Sequence, residues 1–168
     1  MPNDVPELKE FPALWAEMDP RLSVRDPRLL ELRRYWDEIR GDRPMPRRAD
    51  IRPEDIRTLL PNIVLIDVQP EPLRLRYRLI GTEITRTMQR DSTGKYYDEI
   101  YSPDLLAEIY RTFRQVIARK APLRTFGTAF YPDKNYYSYE TLNLPLSEDG
   151  TTINMVLGML VFHLGAPA

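Results

Sequence analysis

The sequence predicts an α+β fold built on an antiparallel sheet, and three observations carry the prediction. Residues 73–80 alternate, with Leu73, Leu75, Tyr77 and Leu79 on one side and Arg74, Arg76 and Arg78 on the other. That period of two marks a strand with one buried and one solvated face. Only Gln69-Pro70-Glu71-Pro72 separates it from the preceding apolar run, a link that suits a hairpin and is too short for a parallel crossover. Helical periodicity is confined to separate stretches, in the order helices, two strands, helices, three strands.

In chain order, residues 1–25 read as an arm punctuated by Pro2, Pro6, Pro12 and Pro20. Within it Phe11, Leu14, Trp15 and Met18 fall at helical spacing and predict a short docked helix. Residues 26–61 form a helical and arginine-rich connector. Asp26-Pro27 supplies a side-chain cap and a proline at the first helical position. The helix runs to about Arg40, where Gly41 stops it. Leu29, Leu32, Tyr35, Trp36 and Ile39 make its apolar stripe. Pro53 to Leu60 predicts about two further helical turns, closed by Pro61.

Residues 62–165 form the core. Strands are expected at 62–69, 73–80, 122–131, 136–146 and 152–163. A short helix from Thr82 to about Met88 follows the first pair. Ser102-Pro103 caps the longest helix, which runs to about Arg119 with a wide apolar stripe. Asp149-Gly150 is a strong turn signal between the last two strands.

Composition excludes several chemistries. With no cysteine among 168 residues, disulfides, thiolate nucleophiles, Cys-ligated metals and cysteinyl-flavin photochemistry are ruled out. One histidine, His163, excludes a multi-histidine metal site within one chain, and no metal is expected. A net charge of −1 argues against a nucleic-acid or membrane-coating protein. The start shows no secretory signal, and no apolar run approaches the roughly 18–20 residues of a membrane span. A cytoplasmic location is the expectation.

No catalytic constellation stands out. Asp67 lies across the hairpin from Arg74–Arg78 and reads as their ion-pair partner. Asp98 and His163 are the only candidate bases for an enzyme, and a strand-end role suits His163 better. Thr93-Gly94-Lys95 lacks the full spacing of a phosphate loop and reads as a turn. Arg43, Arg47, Arg48 and Arg52 are interleaved with Asp42, Asp50, Glu54 and Asp55, so this collar neutralises itself. Tyrosine is in surplus at ten residues; its apolar body and polar tip suit pocket walls and interfaces. Gly158, inside the last strand, marks a close approach over the sheet.

The motifs Leu32-Arg-Arg-Tyr-Trp36, Pro46-Arg-Arg-Ala-Asp-Ile51, Pro53-Glu-Asp-Ile56, Leu59-Leu-Pro61, Leu65-Ile-Asp-Val68 and Arg78-Leu-Ile-Gly-Thr82 together resemble a bacterial single-domain PAS-like family. The resemblance covers about residues 28–163. It implies a five-stranded antiparallel sheet with helices over one face, preceded by a long N-terminal helix. It also implies a sensory or regulatory module that binds a small molecule or mediates protein contacts in signalling, and often a homodimer. A ligand is expected between sheet and helices near Tyr97, Tyr110, Phe113, Tyr139 and Gly158, with no cofactor specified. Trp15, Tyr35 and Trp36 are the candidate interface anchors. Arg47, Arg48 and Arg52 are expected to clamp the N-terminal helix to the sheet rim. Two other functions compete: an isomerase- or dehydratase-like enzyme, and a purely structural dimerising adaptor. The surfaces expected to matter face a small molecule, a second copy or a signalling protein, with no nucleic acid and no membrane.

Overall fold

A computed structural model describes residues 15–130 and 136–164. Its centre is a six-stranded antiparallel sheet in the order β1-β4-β5-β6-β2-β3. The strands are β1 (Trp15–Asp19), β2 (Ile63–Pro70), β3 (Leu73–Ile80), β4 (Leu123–Phe130), β5 (Tyr136–Leu146) and β6 (Met155–Leu164). The helices are α1 (Pro27–Arg40), α2 (Thr82–Met88), the single turn α3 (Tyr97–Ile100) and α4 (Pro103–Arg119).

β2 to β6 are the five strands read from the sequence, and β1 is a sixth. The stretch expected as a helix at Trp15 and Met18 is instead a strand paired with β4, Trp15 opposite Thr128 and Asp19 opposite Arg124. The cause is tertiary: β4 would otherwise present a row of unpaired backbone groups at the sheet edge, and an extended segment satisfies them. Phe11 and Leu14 lie outside the described residues. The helix expected from Pro53 is a 3-10 turn, Pro53–Ile56, followed by a second at Leu60–Asn62.

As expected, α2, α3 and α4 cover one face of the sheet; the N-terminal helix α1 packs on the other. α1 begins where Asp26 accepts a hydrogen bond from the Arg28 N–H and ends at Gly41, whose φ of 57° needs a residue without a Cβ. It lies against β5: Trp36 is buried and its Nε1–H donates to the Pro145 carbonyl at 3.0 Å. Leu29 and Leu32 of α1 share one core with Leu142, Leu144, Leu146, Leu157 and Met159. The opposite face of the sheet lies beneath α2, α3 and α4.

A β-bulge adjusts the alternation of β3. Leu65 pairs with Leu79 but Ile66 pairs with Tyr77, which leaves Arg78 as the extra residue. The phase flips there, so Ile80 turns towards the helices while Leu79, expected inside, is 42% exposed.

A buried charge cluster anchors the N-terminal segment. Arg124 is 5% exposed, and its guanidinium bonds Glu140 at 2.6 Å and Asp19 at 3.0 Å. Glu140 also accepts the backbone N–H groups of Arg25 and Asp26, each at 2.9 Å. One carboxylate therefore holds the start of α1 against β4 and β5.

Candidate ligand pocket

A cavity of 170 Å³ lies between the α2–α4 face of the sheet and those helices. Residues of five strands form its floor: Val64 and Ile66 of β2, Tyr77 and Ile80 of β3, Thr125 of β4, Tyr139, Thr141 and Asn143 of β5, and Leu160 and Phe162 of β6. The roof is Ile84 and Met88 of α2, Arg90 and Ser92 of the following loop, Tyr97 and Tyr101, and Leu105, Ile109 and Phe113 of α4. The volume is close to the ~150 Å³ of an engineered apolar cavity that admits benzene.

An aromatic cluster shapes the α3 end. Tyr97 stacks on Tyr77 with ring centroids 4.3 Å apart and meets Phe113 edge-on at 6.3 Å. The Tyr77 and Tyr101 hydroxyls are hydrogen-bonded at 2.6 Å. α3 holds this geometry from outside: Arg74 lies 3.6 Å over the Tyr96 ring and pairs with Asp98 at 2.8 Å, which turns Tyr97 inward. Burial drives the Tyr77 and Tyr101 hydroxyls well above their ordinary pKa of 10, with the nearby Arg90 cation among the opposing influences. Both hydroxyls are therefore neutral at physiological pH.

The floor carries a polar strip at its other end. The Thr125 and Thr141 hydroxyls are hydrogen-bonded to one another. The Asn143 amide N–H₂ donates to the Leu123 carbonyl and to Thr141 Oγ1, both at 3.3 Å. Gly158, opposite both Val64 and Asn143, provides the room for this floor: a Cβ there would sit 2.7 Å from Val64 Cγ1.

Of the residues expected at a ligand site, Tyr97, Phe113 and Tyr139 line the cavity. Gly158 lies beneath Val64 in its floor rather than on its surface. Tyr110 is outside the lining and carries Arg114 over its ring at 5.7 Å. The candidate bases are elsewhere: Asp98 is spent on Arg74, and His163 is exposed, 3.5 Å from Asp26. Asp67 pairs with both Arg76 and Arg78, at 2.7 and 2.9 Å.

The expected interface anchors lie differently. Tyr35 and Trp36 are buried in the chain's own core, and the Tyr35 hydroxyl accepts the Arg52 N–H at 2.8 Å. An α1 stripe wide enough to cover β5 leaves these rings no outward face. Of Trp15 the backbone pairing with Thr128 is described.

The arginine collar ties the helix end through a different residue. Arg43 caps α1 by donating to the Ile39 and Arg40 carbonyls at 2.6 and 3.0 Å, and it pairs with Asp50 at 2.8 Å. Arg47 and Arg48 contribute backbone N–H groups, to Asp50 at 2.7 Å and Glu148 at 3.3 Å. Arg52 pairs with its neighbour Glu54 in solvent. Arg90, Thr125, Thr141 and Asn143 also line the cavity and are not among the residues expected there from the sequence. The available signal was the run Tyr139-x-Thr141-x-Asn143, set in alternation against Leu142, Leu144 and Leu146.

Among the described residues no helix is long and apolar enough to cross a membrane, and no cluster of metal-ligating side chains occurs. A family model described as a PAS domain matches residues 24–161. No curated protein matches the chain. Among solved structures, one described as an RNA-binding Light-Oxygen-Voltage receptor is 15% identical, with a TM-score of 0.46. That match covers 90% of this chain and 39% of the other, so the chain spans less than half the length of that structure.

Proposed function

Because the chain belongs to the PAS-domain family, a group of sensory and signalling modules, we propose that it is a non-enzymatic sensor that binds a small molecule in the cavity under α2–α4. The carrying observation is the cavity itself. A largely apolar space with a few convergent polar groups is the usual form of a small-molecule site. Its titratable tyrosines are neutral, and neither candidate base faces it, which supports binding rather than catalysis. A ligand there would touch α2, α3 and α4 together and so bias their packing on the sheet. The signal would leave through a signalling partner or a second copy of this chain, by a surface other than the buried rings of Tyr35 and Trp36.

A thermal-shift screen of small metabolites tests this reading. At a hundredfold excess over the dissociation constant, a ligand stabilises by about 2.7 kcal/mol, or about 5–10 °C for a domain of this size. Ile109→Trp, which fills the cavity from α4, abolishes the shift. A screen in which no compound shifts the wild type, or in which Ile109→Trp responds equally, overturns the proposal.

A further inference from the structure

The polar groups of the cavity, counted atom by atom, define what the ligand must offer, and this deepens the pocket reading on which it rests. Arg90 donates from Nε to Ser92 Oγ at 2.9 Å. Among the described residues its remaining guanidinium nitrogens have no carboxylate or other hydrogen-bond partner. Glu108, the acid on the cavity rim, pairs instead with Arg111 at 3.1 Å. A half-buried cation facing an apolar cavity, with no paired carboxylate among the described residues, is a costly arrangement that an anion relieves.

At the other end, the Thr125–Thr141 pair has two hydroxyl protons and one hydrogen bond between them. Whichever threonine donates, one O–H is left over. Asn143 has spent both amide hydrogens, while its side-chain carbonyl has no partner among the described residues, although the residue is only 8% exposed. One free donor and one free acceptor therefore stand side by side. Their complement is a hydroxyl or an amide, each of which both donates and accepts.

The two ends are well separated. Tyr77, beside Arg90, is on β3, and Thr141 and Asn143 are on β5, three strand spacings away in the order β5-β6-β2-β3, or roughly 14 Å between backbones. Side chains reach inward from both ends, and between them lie Val64, Ile66, Phe113 and Leu160.

We infer that the ligand is an elongated organic carboxylate with an apolar or aromatic middle, its carboxylate on Arg90 and a hydroxyl or amide at its far end on Thr125, Thr141 and Asn143. Arg90 and Asn143 are the specificity-determining residues of the site.

The test is isothermal titration of the full chain with 4-hydroxybenzoate, 4-hydroxyphenylacetate and 3-(4-hydroxyphenyl)propanoate. Each is compared with its methyl ester and with the acid lacking the ring hydroxyl. The expected result is that at least one acid of the series binds about tenfold or more tightly than its ester and than its deoxy analogue. Arg90→Gln erases the acid–ester difference, and Asn143→Leu erases the hydroxyl difference. Thr141→Val serves the same purpose should Asn143→Leu fail to fold. Acid and ester binding equally would overturn the anion assignment while leaving the pocket reading intact. Equal binding of hydroxylated and deoxy acids would overturn the far-end assignment. If no member binds with a dissociation constant below about 1 mM while a compound of other chemistry binds and is blocked by Ile109→Trp, this inference fails alone. If nothing binds at all, both fail.

Discussion

Removing the Trp36 ring tests the placement of α1 against the sheet. Trp36 is 2% exposed, donates to the Pro145 carbonyl, and carries Arg33 and Arg40 over its ring at 5.8 and 5.5 Å. Trp36→Ala leaves a cavity between α1 and β5 and a buried carbonyl without its donor. Truncation of a buried aromatic costs about 3–5 kcal/mol, out of a typical total of about 5–15 kcal/mol. Trp36→Phe keeps most of the packing and isolates the lost hydrogen bond at about 1–2 kcal/mol. Urea denaturation measures both. With an m-value near 2 kcal/mol/M, Trp36→Ala lowers the midpoint by about 2 M and Trp36→Phe by less than about 1 M. The difference between variant and wild type does not change when protein concentration is raised tenfold, because the ring is covered by its own chain. An unchanged midpoint for Trp36→Ala, or a difference that varies with protein concentration, would show that the ring is not in this core or is shared with a second copy.

Three further outcomes follow from local geometry. Gly81→Ala destabilises by about 3 kcal/mol despite an ordinary φ of −66°, because the new Cβ would lie 2.3 Å from the Pro61 carbonyl oxygen. Gly158→Ala, whose one close contact is a Val64 methyl at 2.7 Å, costs about 1 kcal/mol, and equal midpoints for the two variants would refute the backbone clash at Gly81. Glu140→Gln, which leaves the buried Arg124 with Asp19 alone, costs about 3 kcal/mol, whereas Arg52→Gln, at an exposed pair, leaves stability nearly unchanged; chemical denaturation that ranks them the other way contradicts the role of burial. Asp149 accepts hydrogen bonds from the Thr151 and Thr152 N–H groups and from the Ser147 hydroxyl, which together hold its pKa at about 2 against an ordinary 3.8. A depressed carboxylate pKa stabilises the fold above the ordinary value, and the stabilisation is lost as pH falls towards 2. Wild type and Asp149→Asn should therefore differ in stability above pH 4 and converge near pH 2; a difference independent of pH in this window would contradict the assignment.

Where local chemistry decides an element, the sequence was sufficient. Asp26, Pro27 and Gly41 bound α1, and Ser102 and Pro103 start α4, at the expected positions. Long-range pairing was not legible in the same way. Trp15 and Met18 have helical spacing, yet the open edge of β4, more than a hundred residues later, draws them into a strand. The bulge at Arg78 is equally silent in a cleanly alternating run. The candidate site was half legible. Tyr97, Phe113 and Tyr139 carry the aromatic signal that points to a pocket wall, whereas Thr141 and Asn143 carry no signal of their own. Their meaning comes from the helices above them, which turn a polar stripe on β5 towards a cavity instead of solvent. Arg90 carries no sequence signal, because a lone arginine after a short helix has no pattern; only the structure shows that, among the described residues, no carboxylate pairs with its guanidinium.

Whether the cavity under α2–α4 holds a ligand is read by native mass spectrometry of the full chain, on protein purified without additives and then mixed with the best compound from the thermal-shift screen. The expected result is one small molecule per chain, retained or added, on the wild type and none on Ile109→Trp, with both proteins folded by their melting transitions. A wild-type chain that stays at its bare mass at every ligand concentration, or an Ile109→Trp chain that binds as well as the wild type, would contradict it.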